Sequence, residues 1–164
     1  MVHTITMDSP VGPLRLVASE RGMRAIMWGA EDMERVASIN ADELVEGATP
    51  ILEQSVTELE EYFDGTRREF DMPLDPVGTP FQQSAWMILR TIPYGQTISY
   101  GQQALQLGDP NKARAVGAAN GKNPLSIVVP CHRVIGSTGH LTGFAGGLDV
   151  KSWLLDHERQ QRLL

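Results

Sequence analysis

The chain has 164 residues, of which 41% are hydrophobic and 6% aromatic, and it contains a single cysteine. That is an ordinary globular composition, sized for one domain or two small ones, and no apolar run approaches the roughly 18 residues that span a bilayer. One cysteine excludes an internal disulfide and a cysteine-built zinc site, and the four histidines show no ligand spacing. Residues 1–6 lack the charged-then-apolar plan of a secretion signal, so a cytoplasmic protein without metal or cofactor is expected.

The net charge of −6 is unevenly spread. Residues 1–76 carry six Lys and Arg against sixteen Asp and Glu, a net −10, whereas residues 77–164 carry eight against four, a net +4. An acidic half joined to a basic half directs a polyanionic partner towards the second.

In chain order, residues 2–7, 14–18 and 23–28 are short apolar segments separated by turn-forming Pro and Gly clusters, the pattern of an antiparallel sheet. Residues 31–47 are polar and weakly patterned, which predicts a loop with at most a short helix. Thr49-Pro50 then caps and starts a helix whose apolar face is Leu52, Val56, Leu59 and Phe63. Glu53, Glu58, Glu60 and Glu61 fall mostly outside that stripe, as a solvated face would. Gly65 ends the helix, and Pro73, Pro76, Gly78 and Pro80 mark a linker where the charge balance changes. The expected domains are therefore 1–76 and 77–164.

Thr79-Pro80-Phe81-Gln82 is a capping box, and Phe81, Ala85, Ile88 and Ile92 make the apolar stripe of the helix it opens. Ser99-Tyr100-Gly101-Gln102 is a second capping box, opening a short helix to about Leu107. Gly108-Asp109-Pro110 turns the chain into a further helix over 111–120. Two short helices around a glycine turn have the proportions of a helix-turn-helix. The second is almost entirely small residues around Arg114, which fits tight helix packing or close approach to another surface. Lys112, Arg114 and Lys122 favour a nucleic-acid backbone.

Ser126-Ile127-Val128-Val129 reads as a buried strand ending at Pro130-Cys131-His132-Arg133-Val134. A lone thiol beside a possible base is a candidate nucleophile, although free cysteine also serves as a small core residue. Adjacent strand residues point to opposite faces, so His132 reaches the thiol only through a turn or a bridging water. Gly139, Gly143, Gly146 and Gly147 form a glycine-rich loop that matches neither a dinucleotide nor a P-loop fingerprint and allows close backbone approach. A last helix from about Asp149 carries Val150, Leu154 and Leu155, and places Glu158 where it can turn inward.

Four stretches together, Thr91 to Gly101, Ala113-Arg114-Ala115-Val116-Gly117, Asn123-Pro124 and Pro130 to Val134, resemble the O6-alkylguanine-DNA alkyltransferase family in order and spacing. The resemblance is specific from about Gly78 to Glu158 and looser before it. It implies an α+β protein with an RNase H-like antiparallel sheet domain followed by a helical winged-helix, helix-turn-helix domain. It implies Cys131 as alkyl acceptor, His132 as base through a water, and Glu158 as the group that orients His132. Tyr100 would help rotate the nucleotide out of the duplex and contact guanine, Arg114 would fill the gap left in the stack, and Asn123 would brace the active site. The helix carrying Lys112, Ala113, Ala115, Gly117 and Ala118 would lie in the minor groove with Lys122 nearby. Val134 would offer its carbonyl to the guanine amino group, and Phe144, Ala145 and Gly146 would border the pocket.

The implied partner is double-stranded DNA carrying O6-alkylguanine, met by a monomer away from any membrane; O4-alkylthymine as substrate and cooperative assembly on DNA stay open. A thioether product with no second cysteine to resolve it implies one reaction per molecule. Some relatives have Tyr and Ser where this chain has Phe144 and Ala145, Glu is common at Gln96, an apolar residue is expected at Gln103, and the zinc-binding cysteines of some relatives are absent. Two other classes compete: a lesion-binding protein that performs no transfer, against which Cys131 argues, and a thiol hydrolase, which leaves the Arg114 helix unexplained.

Overall fold

The structure, a computed structural model, describes residues 1–29, 35–36, 39–139, 141 and 143–163, with the backbone alone for 161–163. The chain divides into two compact units, Met1–Val77 and Gly78–Leu164.

The first unit is built on a four-stranded sheet. Strands β1 (Val2–Met7), β2 (Leu14–Ala18) and β3 (Met23–Met27) form an antiparallel meander, with Ile5 opposite Leu16 and Leu16 opposite Ile26. The weakly patterned stretch after it contains a strand that local pattern does not reveal: β4 (Leu44–Glu46) pairs parallel with β1, so the sheet is antiparallel except at this edge. Three residues are too few for alternation to register, and the pairing is fixed by β1. The expected short helix is a 3-10 turn at Ala41–Glu43, and residues 31–34 and 37–38 of that stretch lie outside the described residues. Val17, Ala25 and Met27 are closed over by Val36 and Ile39.

Helix α1 (Pro50–Asp64) begins where Thr49 Oγ1 accepts from the Leu52 N–H at 3.3 Å. It ends at Gly65, whose φ of +84° is the left-handed cap that glycine adopts without a Cβ penalty. The helix buries Leu52, Leu59 and Tyr62 and packs against β1 and β2. Glu58 departs from the expected solvated face, being only 4% exposed. Its Oε1 accepts from the Asp71 and Met72 N–H groups at 2.7 and 3.1 Å, and its Oε2 accepts from Gln54 Nε2 at 2.7 Å. A carboxylate repays burial in this way only when every oxygen is used. The segment read as a linker is likewise attached: the Met23 N–H donates to the Pro73 carbonyl at 2.8 Å, the Asp75 N–H donates to the Met23 carbonyl at 2.9 Å, and the Asp75 carboxylate accepts from Arg24 Nε at 2.8 Å and Ser19 Oγ at 2.7 Å.

Among the described residues the second unit carries four α-helices and a small parallel pair of strands. Helices α2 (Pro80–Leu89) and α3 (Tyr100–Gln106) each start with a complete capping box, from Thr79 with Gln82 and from Ser99 with Gln102. The buried face of α2 is Ala85, Trp86 and Leu89, rotated from the expected stripe because Trp86 donates its indole N–H to the Ala119 carbonyl at 2.8 Å. After a 3-10 turn at Pro110–Lys112 comes α4 (Ala113–Gly121), and the chain ends in α5 (Leu148–Leu163). Strands β5 (Ile98–Ser99) and β6 (Val134–Ile135) pair in parallel, Ile98 with Val134 and Ser99 with Ile135.

The expected strand at 126–129 is instead a turn. The Val129 N–H bonds the Leu125 carbonyl at 2.9 Å, and Ile127 has φ +75°. A β-branched residue in that region is strained by roughly 1–2 kcal/mol, and the run reads as strand because Ile127 and Val129 are buried apolar residues with half-buried Val128 between them.

Glu58→Ala leaves two N–H groups without their acceptor and is expected to lower stability by about 2 kcal/mol, whereas exposed Glu53→Ala changes it by less than about 0.5 kcal/mol. The urea midpoints of the two variants check this.

Candidate active site

Cys131 opens a 3-10 turn, Cys131–Arg133, directly after the turn of Ser126 to Val129 and directly before β6. Its N–H bonds the Val129 carbonyl at 2.8 Å, and its side chain is half-buried. The turn rotates the three side chains apart, so His132 and Arg133 point into the core. Asn123, 1% exposed, holds the preceding segment: its Nδ2 donates to the Val129 carbonyl at 2.8 Å and its Oδ1 accepts from the Leu125 N–H at 3.0 Å.

His132 and Glu158 are both fully buried, with His132 Nε2 2.7 Å from Glu158 Oε2. Arg133 completes the group, Nε donating to Glu158 Oε1 at 2.8 Å and Nη2 to Oε2 at 3.1 Å. Its Nη1 donates to the Ile92 carbonyl at 2.8 Å, and its guanidinium lies 5.6 Å from the Tyr94 ring centre. Burial by itself would raise the Glu158 carboxyl, but His132 and Arg133 outweigh it and hold the group ionised, well below the usual carboxylate range. Burial pushes His132 below its ordinary value despite the carboxylate, so the imidazole is neutral at pH 7. The neutral ring donates Nε2–H to Glu158 and keeps its lone pair on Nδ1. Nδ1 is buried and has no hydrogen-bond partner among the described residues.

Lys151 is also fully buried, at the start of α5. Its Nζ donates to the Val134 carbonyl at 2.7 Å and lies 5.9 Å from the Tyr100 ring centre. Burial lowers its pKa, while Cys131 acts in the opposite sense. The carbonyl expected to face guanine therefore already accepts one bond, with a second lone pair left over.

Sequence reasoning assigned no role to Arg133 or Lys151. A signal for Lys151 existed: it precedes Leu154, Leu155 and Glu158 at helical spacing, and all four lie on the buried face of α5. Arg133 stood within the quoted run, but nothing local identifies its partner 25 residues away.

Tyr100 is half-buried at the first position of α3, beside the β5–β6 pair that ties it to the Cys131 segment. A Cβ placed on Gly117 would lie 3.8 Å from the Tyr100 ring, so α4 passes close to it. Arg114, Ala115 and Ala118 are exposed and share one face of α4, Lys122 is exposed directly after its last turn, and Ala113 and Gly117 are half-buried. Lys112, also exposed, lies 5.6 Å from the Phe81 ring centre. Phe144, Ala145 and Gly146 form the turn before α5, closed by the Gly147 N–H to the Phe144 carbonyl at 2.9 Å. His140 and Thr142 of the glycine-rich loop lie outside the described residues.

One unit thus holds a half-buried thiol, a buried imidazole–carboxylate pair one residue further along the chain, and a helix-turn-helix whose second helix has a small-residue face. The family pattern "6-O-methylguanine DNA methyltransferase, ribonuclease-like domain" matches residues 2–76, and "6-O-methylguanine DNA methyltransferase, DNA binding domain" matches residues 80–160. The chain belongs to the 6-O-methylguanine DNA methyltransferase family. It is 46% identical over 153 residues to the methylated-DNA–protein-cysteine methyltransferase of Methanosarcina acetivorans, covering 92% of this chain and 94% of that protein. A variant of the Mycobacterium tuberculosis O6-methylguanine methyltransferase superposes with a TM-score of 0.86 at 44% identity, covering 98% of this chain and 94% of that one. The Mycobacterium tuberculosis OGT in complex with DNA superposes with a TM-score of 0.85 at 43% identity, covering 97% and 94%.

Because burial lowers His132 below its unfolded value of 6.5, the unfolded chain binds a proton there that the native chain does not. Native stability is expected to fall as the pH drops below 6.5, with the depressed Glu158 adding a further loss below its unfolded value of 4.5. His132→Gln should flatten the dependence between pH 6.5 and 5 and leave the lower limb, as urea titrations at stepped pH would record.

Proposed function

We propose that this protein reverses O6-alkylation of guanine in double-stranded DNA by moving the alkyl group irreversibly to Cys131, once per molecule. The observation that carries this reading is the buried His132–Glu158 pair with its Nδ1 lone pair, set one residue from the chain's single thiol. A free thiol of pKa about 8.5 is only a few per cent ionised at pH 7, so a neutral base gives it nucleophilic character. His132 takes the thiol proton through a bridging water, and Glu158 holds the ring in the tautomer that leaves Nδ1 free.

The thiolate sulfur forms a bond to the alkyl carbon as that carbon's bond to O6 breaks. The electron pair goes to O6, and the guanine anion recovers a proton from the imidazolium through the same water. The products are an S-alkylcysteine and unmodified guanine. The single cysteine offers no resolving thiol, which supports one turnover.

DNA as the partner is supported by the Mycobacterium tuberculosis OGT complex and by the basic second half of the chain. The exposed face of α4 presents methyl groups and Arg114, a shape suited to the minor groove. In this reading Arg114 occupies the stack vacated by the rotated nucleotide, Tyr100 contacts the guanine, and Asn123 keeps the Cys131 turn seated. The base is bordered by Phe144, Ala145 and Gly146 and offers its amino group to the second lone pair of the Val134 carbonyl. Extrusion costs a few kcal/mol of unstacking, least where pairing is already damaged.

Intact-protein mass spectrometry after incubation with a duplex carrying one O6-methylguanine tests this: one added methyl group per protein, mapped to Cys131, is expected. An unchanged mass with tight lesion binding would place the protein among damage-flagging binders. Cys131→Ser is expected to abolish transfer and keep duplex binding in a gel-shift titration. Arg114→Ala should slow transfer from duplex DNA by about tenfold or more while sparing the free base O6-benzylguanine, since the unstacking cost arises only in the duplex.

A further inference from the structure

Gln103, on α3, stands where an apolar residue is expected, and it is completely buried. Its side-chain amide forms a closed pair with that of Asn120 on α4, itself 7% exposed. Gln103 Nε2 donates to Asn120 Oδ1 at 3.0 Å, and Asn120 Nδ2 donates back to Gln103 Oε1 at 2.8 Å. The second hydrogen on Gln103 Nε2 goes to the Ala85 carbonyl on α2 at 3.1 Å. One residue before Asn120, the Ala119 carbonyl accepts the Trp86 indole N–H at 2.8 Å. Three helices of the second unit are thus joined by four buried hydrogen bonds around the last turn of α4.

Apolar side chains hold helices together but tolerate sliding and rotation, because dispersion has little directionality. A reciprocal amide pair does not, since a small displacement breaks both bonds in a site where water cannot replace them. That difference matters most for α4. Its exposed face is made mainly of small residues, with the methyl groups of Ala115 and Ala118 beside Arg114, and methyl groups have no reach with which to absorb a misplacement.

We propose that the Gln103–Asn120 amide pair is a positioning device that sets the seating of α4 against α2 and α3, and thereby governs reaction with alkylated bases in duplex DNA rather than the reactivity of the thiol. This rests on the proposed alkyl transfer. It makes Gln103 and Asn120 positioning residues that touch neither substrate nor Cys131 chemistry.

The test compares Gln103→Leu, Asn120→Leu and the double variant with the wild-type chain. Each is read by its rate of methyl transfer from an O6-methylguanine duplex, its rate with free O6-benzylguanine, and its thermal midpoint. Each single variant strands a buried amide and is expected to lose stability, so the double variant, with an apolar pair of similar volume, is decisive. It is expected to retain its thermal midpoint and its free-base rate within about twofold, while its duplex rate falls about ten- to a hundredfold, the scale of a displacement near 1 Å. A double variant that keeps the wild-type ratio of duplex to free-base rates overturns the proposal, whether both rates are intact or both have fallen together. Wild-type protein that fails to acquire a methyl group from the duplex would instead overturn the alkyl-transfer reading.

Discussion

The Glu158 carboxylate is the constraint on which the active unit depends. It is fully buried, and it stays ionised because three N–H groups from His132 and Arg133 converge on its two oxygens. An unpaired carboxylate there would cost several kcal/mol and would take up a proton instead. Paired, it locks three things at once. α5 is held at the register that buries Lys151, the 3-10 turn keeps His132 inward, and the Arg133 Nη1 bond to Ile92 ties the end of the α2 region to the same point. The neutral state of His132 follows from this arrangement, since burial opposes a second charge beside Arg133 and Lys151.

Around that centre, backbone geometry does the placing. Asn123 clamps a turn that contains a left-handed Ile127, and the short β5–β6 pair brings the start of α3 alongside the segment that follows Cys131. Neither feature is extensive, yet between them they set Tyr100, Val134 and Cys131 in one neighbourhood. Lys151 joins the three, through its bond to the Val134 carbonyl, its position over the Tyr100 ring and its interaction with Cys131. A cation there favours negative charge on the sulfur. The buried polar group and the small-faced helix thus belong to different parts of the same unit: the buried face of α5 with the 3-10 turn for the one, and α3 with α4 for the other.

The acidic first unit follows the same logic at a lower density. Glu58 and Asp75 have acceptor capacity that is used by backbone N–H groups, Ser19, Gln54 and Arg24, and they attach loops to helix and sheet. An excess of carboxylates here is partly structural, which composition by itself does not disclose.

Much of this was legible in the amino-acid sequence because it is encoded locally. Thr49, Thr79 and Ser99 mark helix starts through bonds spanning three residues, Gly65 marks a helix end, and alternating apolar segments mark the meander. The spacing of the Tyr100, Arg114, Asn123 and Cys131 stretches was enough to indicate the family. Tertiary structure decided what depends on distant partners. It made β4 a strand by pairing it with β1, turned 126–129 away from extended structure, and rotated the α2 stripe towards Trp86 and its Ala119 acceptor. It also gave Arg133 and Lys151 their acceptors and made Gln103 and Asn120 a pair. The physical reason is common to all of these. A cap or a stripe carries its own stabilisation within a few residues, whereas a buried polar group is tolerable only once the fold delivers its partner.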